Sequence, residues 1–253
     1  MSDFTALITG ADKGIGKQIA AQLATAGVNV HVGSRDPERG QQAVDEIGGR
    51  ARLLVLDVTD ADSIADAARQ VEALDILVNN AGISLDTASA PDGTDVDTFR
   101  RTYETNVFGV AAVTNAFLPL LRRSAKPRIV NVSSGTSSLA WSTGPNPQFR
   151  PGSGAGAAYR SSKAALNALT VFYALDLAEA GVKVNALAPG LRATDLNELA
   201  ATGGGDPAEA AVGAVLVAGE AGVVAGLDGV HFGPARIGKH LRRRPVALVA
   251  QLD

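Results

Sequence analysis

The sequence predicts an α/β protein built on one doubly wound parallel sheet of about seven strands, with helices on both faces. Short apolar runs alternate with longer segments whose apolar residues recur at helical spacing, as in repeated strand–helix–strand units. A length of 253 residues suits one domain of this kind. The motifs that could carry chemistry follow directly after predicted strands, where the ligand of such a sheet lies.

The composition narrows the classes of function. The chain has no cysteine, which excludes disulfides and Cys-bound metals, and its three scattered histidines suggest no metal site. The net charge is −3, but residues 236–253 carry five basic residues against one acid. We therefore predict one domain over residues 1–235 and a basic tail of unassigned structure over residues 236–253. The acidic body argues against nucleic-acid binding, and the absence of a leader or a long apolar stretch predicts a cytoplasmic protein without membrane contact.

A strand at residues 5–9, a glycine-rich turn and a helix ending near Gly27 are predicted to open the chain. Ile15, Ile19 and Leu23 recur every four residues and form the buried stripe of that helix. This is the first unit of a dinucleotide-binding (Rossmann) fold, in which glycines let the backbone approach a pyrophosphate at the helix N-terminus. The cofactor contacts assigned to the turn are Gly10, Lys13, Gly14, Ile15 and Gly16.

The second strand, residues 28–33, ends in Ser34, Arg35 and Asp36. An acid at this strand end binds the ribose 2′-hydroxyl in NAD-dependent proteins, whereas an arginine accommodates a 2′-phosphate. Ser34 and Arg35 come first, and Lys13 in the glycine turn adds a second cation. The sequence therefore predicts NADPH rather than NADH.

The following strands also end in polar residues. Strands are predicted at residues 52–56, 75–78 and 128–134, with a helix at 60–73 capped by Asp60 or Asp62 and a long helix at 96–123 that carries Asn106. Ser133 and Ser134 end the fifth strand, where a hydroxyl can donate a hydrogen bond to a substrate oxygen.

Tyr159 and Lys163 lie four residues apart in a run of helical character, which places both side chains on one helix face. A cation beside a phenol lowers the phenol pKa from about 10 and allows general acid–base catalysis near neutral pH. We predict that Lys163 lowers the pKa of Tyr159.

Two further motifs are Asn79-Asn80-Ala81-Gly82, after the fourth strand, and Pro189-Gly190. Taken in order, all these motifs resemble those of the short-chain dehydrogenases/reductases over residues 4–195, and most closely the pattern of NADPH-dependent carbonyl reductases. The resemblance implies that Tyr159 protonates a carbonyl oxygen to which Ser134 is hydrogen-bonded. It also implies that Lys163 tunes Tyr159 and holds the nicotinamide ribose, while Asn106 positions a water that connects Lys163 to solvent. Further implied cofactor contacts are Asp57, Val58, Asn79, Ala81, Gly82, Pro189, Gly190 and Thr194.

Two segments depart from the family pattern. Residues 135–158 form a long segment rich in glycine and proline, which suggests a pocket wall or a modifier of subunit contacts. In related reductases a longer insertion covers the helices through which most family members associate, so the resemblance implies a monomer or homodimer rather than a tetramer. Residues 195–205 make a short lid before a helix that opens at Pro207, which predicts an open pocket and broad specificity. A short strand at residues 229–232 is expected to close the sheet.

The expected function is therefore the reversible, NADPH-dependent reduction of an aldehyde or ketone to an alcohol. Two alternatives remain: a ketoreductase of secondary metabolism that acts on a bulky cyclic or polyketide ketone, and a regulator that binds NADP without turnover. Intact Ser134, Tyr159 and Lys163 weigh against the regulator. The sequence does not name the substrate, because loops form the pocket walls.

Overall fold

A computed structural model describes residues 4–86, 89–144, 154–219 and 249–251 of the chain. Its strands are β1 (Thr5–Thr9), β2 (Asn29–Ser34), β3 (Ala51–Val55), β4 (Ile76–Asn79), β5 (Arg128–Val132), β6 (Lys183–Ala188) and β7 (Val249–Gln251). They form one sheet in the order β3-β2-β1-β4-β5-β6-β7. Every neighbouring pair is parallel, which confirms the predicted doubly wound architecture.

The helices connect these strands in chain order. They are α1 (Gly14–Thr25), α2 (Pro37–Ile47), α3 (Ala61–Gln70), α4 (Val96–Tyr103), α5 (Gly109–Leu121), α6 (Leu139–Thr143), α7 (Ala157–Asp176), α8 (Glu198–Gly203) and α9 (Pro207–Gly219). Among the described residues, none of these helices has the length and apolarity needed to span a bilayer.

The sheet has a hydrophobic core on each face, because the side chains along each strand point alternately to the two faces. Ala6 and Ile8 of β1 pack on one side with α1, α2 and α9, whereas Leu7 packs on the other with α3, α5 and α7. Successive strand residues point to opposite faces, so a strand covered on both sides is apolar throughout. This explains why the predicted strands appear in the sequence as continuous apolar runs.

The first five predicted strands are confirmed within one or two residues, and Asp60 caps α3 by accepting hydrogen bonds from the backbone of Asp62 and Ser63. The sequence made no specific prediction for α2 or β6. The strand predicted at residues 229–232 lies outside the described residues. In the structure β7, from within the segment predicted as a tail, pairs with β6 at the sheet edge.

The helix predicted at residues 96–123 is interrupted. Residues Glu104–Phe108 form a π-helical turn between α4 and α5, and Asn106 lies fully buried within it. A π turn widens the helix by one residue and changes the direction of its side chains, and such turns are frequent at functional sites.

Candidate active site

One large cavity of about 1060 Å³ lies along the carboxyl ends of the central strands. Its size is at the upper end of the range for small-molecule and cofactor sites. Most of the residues predicted from the sequence line it, namely Gly10, Lys13, Gly14, Ile15, Arg35, Asp57, Val58, Ala81, Gly82, Ser134, Tyr159, Lys163, Pro189, Gly190 and Thr194.

Tyr159 and Lys163 occupy the first two turns of α7 and face this cavity. The Nζ atom of Lys163 lies 5.9 Å from the centre of the Tyr159 ring and donates a hydrogen bond to the carbonyl of Val132 at 2.8 Å. The hydroxyl of Ser134, which is hydrogen-bonded to that of Thr136 at 2.8 Å, also lies close enough to the Tyr159 phenol to lower its pKa. The adjacent Ser133 instead donates to Asn167 at 2.6 Å, so Ser134 is the serine that meets the tyrosine.

The pKa of Tyr159 differs from the sequence prediction. Burial raises the pKa of the phenol, and the hydrogen bond with Ser134 lowers it only in part. Burial also lowers the pKa of Lys163 to about 8. The predicted lowering of the Tyr159 pKa by Lys163 is therefore wrong for this arrangement, because removing water from the phenol outweighs the effect of its neighbours.

The glycine turn after β1 has the geometry of an anion site. Gly10 and Gly14 have φ values of 61° and 55°, which favour glycine. Helix α1 begins at Gly14 after Lys13, whose side chain provides no cap, so the turn suits an external anion at the first amides of the helix.

Gly16 lies behind this turn rather than on the cavity, which corrects its predicted contact with the cofactor. A Cβ atom there would lie 2.4 Å from Nδ2 of Asn80 and 2.6 Å from the carbonyl oxygen of Gly10. The glycine is needed because Asn80 bonds the turn itself, donating to the carbonyls of Thr9 and Gly10. Gly16 thus supports the glycine turn without lining the cavity.

The cations of the cavity differ in their partners. Arg35 is exposed and makes no ion pair within the described part of the chain. Arg39, which the sequence did not suggest, also lines the cavity, with Nε 2.9 Å from Asp36 Oδ2 and 3.5 Å from Asp12 Oδ2. Lys13, predicted as the second cation for a 2′-phosphate, is paired with Asp195 across the cavity.

Two further predicted cofactor contacts lie away from the cavity. Ser34 is buried, and its hydroxyl donates to the carbonyl of Asp36 at 2.7 Å, because it closes the turn before α2. Asn79 is buried in the sheet and donates to Thr114 at 3.1 Å and to Asn131 at 2.8 Å. The next residue, Asn80, lines the cavity instead, since successive residues of an extended chain face opposite sides.

Asn106 holds the loop after β4. Its Oδ1 accepts from the backbone of Ile83 at 2.9 Å, and its Nδ2 donates to the carbonyl of Ile83 and to the hydroxyl of Ser162. A Cβ atom on Gly82 would lie 3.3 Å from both Asn106 Oδ1 and Lys163 Nζ, so the two side chains approach the same point. The water link between them stays a prediction.

Three exposed leucines are among the residues that line the cavity. Leu85, Leu191 and Leu199, here called the rim leucines, line it and are 44%, 47% and 56% exposed. They come from the loop after β4, the segment after β6 and α8. Sequence reasoning missed them because no spacing rule connects residues on three separate segments.

Arg160 fixes the ends of the long segment between β5 and α7. Its guanidinium donates to the carbonyls of Thr136 and Ala155 and to the hydroxyl of Ser142. Thr136 and Ala155 both line the cavity. The described ends of the segment thus form a pocket wall, one of the two roles that the sequence suggested.

A glycine turn at the end of β1, opposite a tyrosine–lysine–serine centre on the same cavity, is the arrangement of a dinucleotide-dependent oxidoreductase. A family model described as short chain dehydrogenase matches residues 4–203. The chain belongs to the short-chain dehydrogenase/reductase family.

Curated relatives agree with this assignment. The chain is 38% identical over 200 residues to the short-chain dehydrogenase anuI of Penicillium roqueforti, covering 75% of this chain and 79% of that protein. It is 35% identical over 205 residues to a cyclopentanol dehydrogenase of Comamonas testosteroni, covering 78% and 76% of the two chains.

Solved structures have the same fold. A 3-ketoacyl-(acyl-carrier-protein) reductase from Brucella melitensis, complexed with NADH, matches with a TM-score of 0.74 and 26% identity, covering 85% of this chain and 90% of that one. A metagenomic short-chain oxidoreductase in complex with NADP matches with a TM-score of 0.70 and 28% identity, covering 87% and 93%.

Proposed function

We propose that this protein uses NADPH to reduce an aldehyde or ketone to an alcohol, in a reversible reaction. The observation that carries the proposal is the shared cavity: Ser134 and Tyr159 lie at one end, and the glycine turn and Arg35 lie at the other. A dinucleotide laid between them would bring its nicotinamide ring to the tyrosine.

The reaction divides between cofactor and protein. Bound NADPH supplies a hydride to the carbonyl carbon. The Tyr159 phenol donates its proton to the carbonyl oxygen, which Ser134 holds by a hydrogen bond, so that an alcohol and a tyrosinate result. Lys163, with a pKa of about 8, is mainly protonated at pH 7 and stabilises that tyrosinate. We propose that Asn106 orders the water through which the phenol is reprotonated from solvent.

The preference for NADPH rests on Arg35. Its side chain is exposed on the cavity after β2, where a ribose 2′-phosphate is expected. The related structures include one complex with NADH and one with NADP, so the family alone does not choose the cofactor. The charge of Arg35 favours the phosphorylated form.

The rim leucines favour a second candidate, an enzyme for bulky cyclic ketones. An apolar ring that covers these exposed leucines removes apolar surface from water, which favours its binding. One relative is named cyclopentanol dehydrogenase, after a small cyclic alcohol. The third candidate, a regulator without turnover, is distinguished by the experiment below.

The test is NADPH oxidation by the purified protein with aldehydes, diketones, quinones and cyclic ketones. Tyr159→Phe should abolish turnover while NADPH binding persists, because only the acidic hydroxyl is lost. Tyr173→Phe is the matched control, since Tyr173 lies on the same helix and its hydroxyl bonds Asn115. Turnover that survives in Tyr159→Phe would show that another group supplies the proton, and a wild-type protein that binds NADPH but reduces nothing would favour the regulator.

A further inference from the structure

Helix α7, which carries Tyr159 and Lys163, begins without a cap of its own. Its N-cap residue is Gly156, with a φ of 75° and no side chain to accept a hydrogen bond. The first amides of a helix have no partner within the helix and need an external acceptor. For α7 that acceptor comes from a distant part of the chain.

Asp86, in the loop after β4, supplies it. One carboxylate oxygen accepts from the backbone N–H of Ala158 at 2.7 Å, and the other accepts from that of Tyr159 at 3.2 Å. The carbonyl of Ser89 accepts from the N–H of Gly156 at 3.2 Å. Asp86 is only 2% exposed, and a carboxylate at a helix N-terminus also interacts favourably with the helix dipole.

The part of this loop directly before Asp86 is itself a wall of the cavity. Ser84 and Leu85, directly before Asp86, line it, and Ile83 is held through its backbone by Asn106. Asn106 also donates to Ser162 on α7. The loop is therefore tied to α7 at two points, near Ser162 by an amide and at Tyr159 by a carboxylate.

We propose that Asp86 is a positioning residue that sets the place of Tyr159 relative to the substrate wall. The proposal rests on the proposed reductase function. Asp86 acts through the backbone of Tyr159, and its carboxylate joins the wall at Leu85 to the residue that donates the proton. A displacement of about 1 Å between reacting groups can lower a rate by about a hundredfold. The hydrogen bonds that hold the backbone of Tyr159 on Asp86 therefore control turnover.

The experiment compares Asp86→Ala and Asp86→Asn with Asp95→Ala. Asp95 is a matched control, because it is an exposed cap that accepts from Thr98 at the start of α4. Two quantities are measured for each variant: kcat per NADPH-binding site, and amide hydrogen exchange over residues 156–163. Because unfolded protein does not bind NADPH, dividing the rate by the concentration of NADPH-binding sites removes its effect on kcat.

Asp86→Ala should lower kcat by about tenfold to a hundredfold, leave the NADPH dissociation constant unchanged, and speed exchange of the Ala158 and Tyr159 amides. Asp86→Asn should recover part of kcat, because asparagine is also a good helix cap. Asp95→Ala should match the wild type in both measurements. If Asp86→Ala does not fold, Asp86→Asn carries the comparison.

Two results would overturn the proposal: a kcat for the Asp86 variants equal to that of Asp95→Ala, or unchanged exchange at Tyr159. A wild-type protein that converts neither carbonyls nor alcohols would instead contradict the proposed function. In that case the exchange measurement alone decides whether Asp86 holds Tyr159 in place.

Discussion

Lys163 is a buried base whose charge has one protein acceptor, the carbonyl of Val132, among the hydrogen bonds of the described chain. The side chain is 4% exposed, and burial lowers its pKa to about 8 from 10.5. Lys163 is therefore protonated at neutral pH but loses its charge as the pH rises through about 8, whereas in the unfolded chain it stays charged up to about 10.5.

This difference predicts how stability depends on pH. Between about pH 8 and 10.5 the unfolded state holds the proton and the folded state does not, so the Lys163 contribution to the free energy of unfolding rises with pH by up to about 3 kcal/mol. Below about pH 8 both states are protonated, and the cost of burying the charge is fully present. Urea unfolding of the wild type and Lys163→Met from pH 7 to 10.5 measures the effect. A constant stability difference between the two proteins would contradict it.

Arg35 gives a second prediction, about cofactor choice. Arg35→Asp should move the NADPH-to-NADH ratio of kcat/KM toward NADH by at least about tenfold, or about 1.4 kcal/mol, because a carboxylate repels a 2′-phosphate. Arg50→Asp is the control, since Arg50 is exposed directly before β3, at the amino ends of the strands and therefore away from the cavity. An unchanged ratio in Arg35→Asp would refute the role of Arg35.

Among the helices, the π turn between α4 and α5 has the most consequence for the site. Gly109, directly after it, brings the helix backbone against the turn that follows β3. A Cβ atom at Gly109 would lie 2.6 Å from the carbonyl oxygen of Val58 and 3.1 Å from that of Glu104. These neighbours are backbone atoms and cannot rotate away, so the close approach depends on glycine.

Gly109→Ala should therefore lower the free energy of unfolding by about 1–3 kcal/mol, the range expected when a packed site receives an extra group. Gly93→Ala is the control, because no atom lies within 4 Å of the added Cβ, and it should change stability by no more than about 0.5 kcal/mol. Chemical denaturation of both variants checks this. Equal midpoints would mean that the helix moves away from Val58 at little cost.

Helix α2 illustrates a local signal that sequence reasoning passed over. Asp36 accepts hydrogen bonds from the backbone of Glu38 and Arg39, and Pro37 occupies the first helical position. The pair Asp-Pro was therefore a helix start. Only Gly40 and Ala43 of this helix are buried, so its apolar pattern was too weak to be recognised beside a predicted cofactor site.

The cavity assembles from the segments that follow six strands, β1 to β6, and from the start of α7. A ligand that binds only this assembled form stabilises the folded chain by mass action, by about 2.7 kcal/mol at 100 times its dissociation constant. For a chain of this length that corresponds to a rise in Tm of roughly 5–10 °C.

NADPH should therefore raise Tm by that amount, and the same concentration of NADH should raise it less. Thermal unfolding with increasing cofactor, followed by fluorescence or circular dichroism, measures both. In Arg35→Asp the order of the two cofactors should reverse. Equal shifts in the wild type would contradict the NADPH preference, and no shift with either would contradict a dinucleotide site.

The family resemblance implied the role of Ser134, and the local order of residues was enough to predict the parallel sheet, the glycine turn and the shared helix face of Tyr159 and Lys163. Each of these depends on short-range rules: apolar runs for strands, glycine for a tight turn, and spacing four for a shared helix face. The burial that raises the pKa of Tyr159, the inward side chains of Ser34 and Asn79, and the rim leucines depend on segments far apart in the chain. Asp86 at the start of α7 belongs with them, 72 residues from Ala158. Such contacts leave no spacing in the sequence, because only the packing of the folded chain brings their partners together.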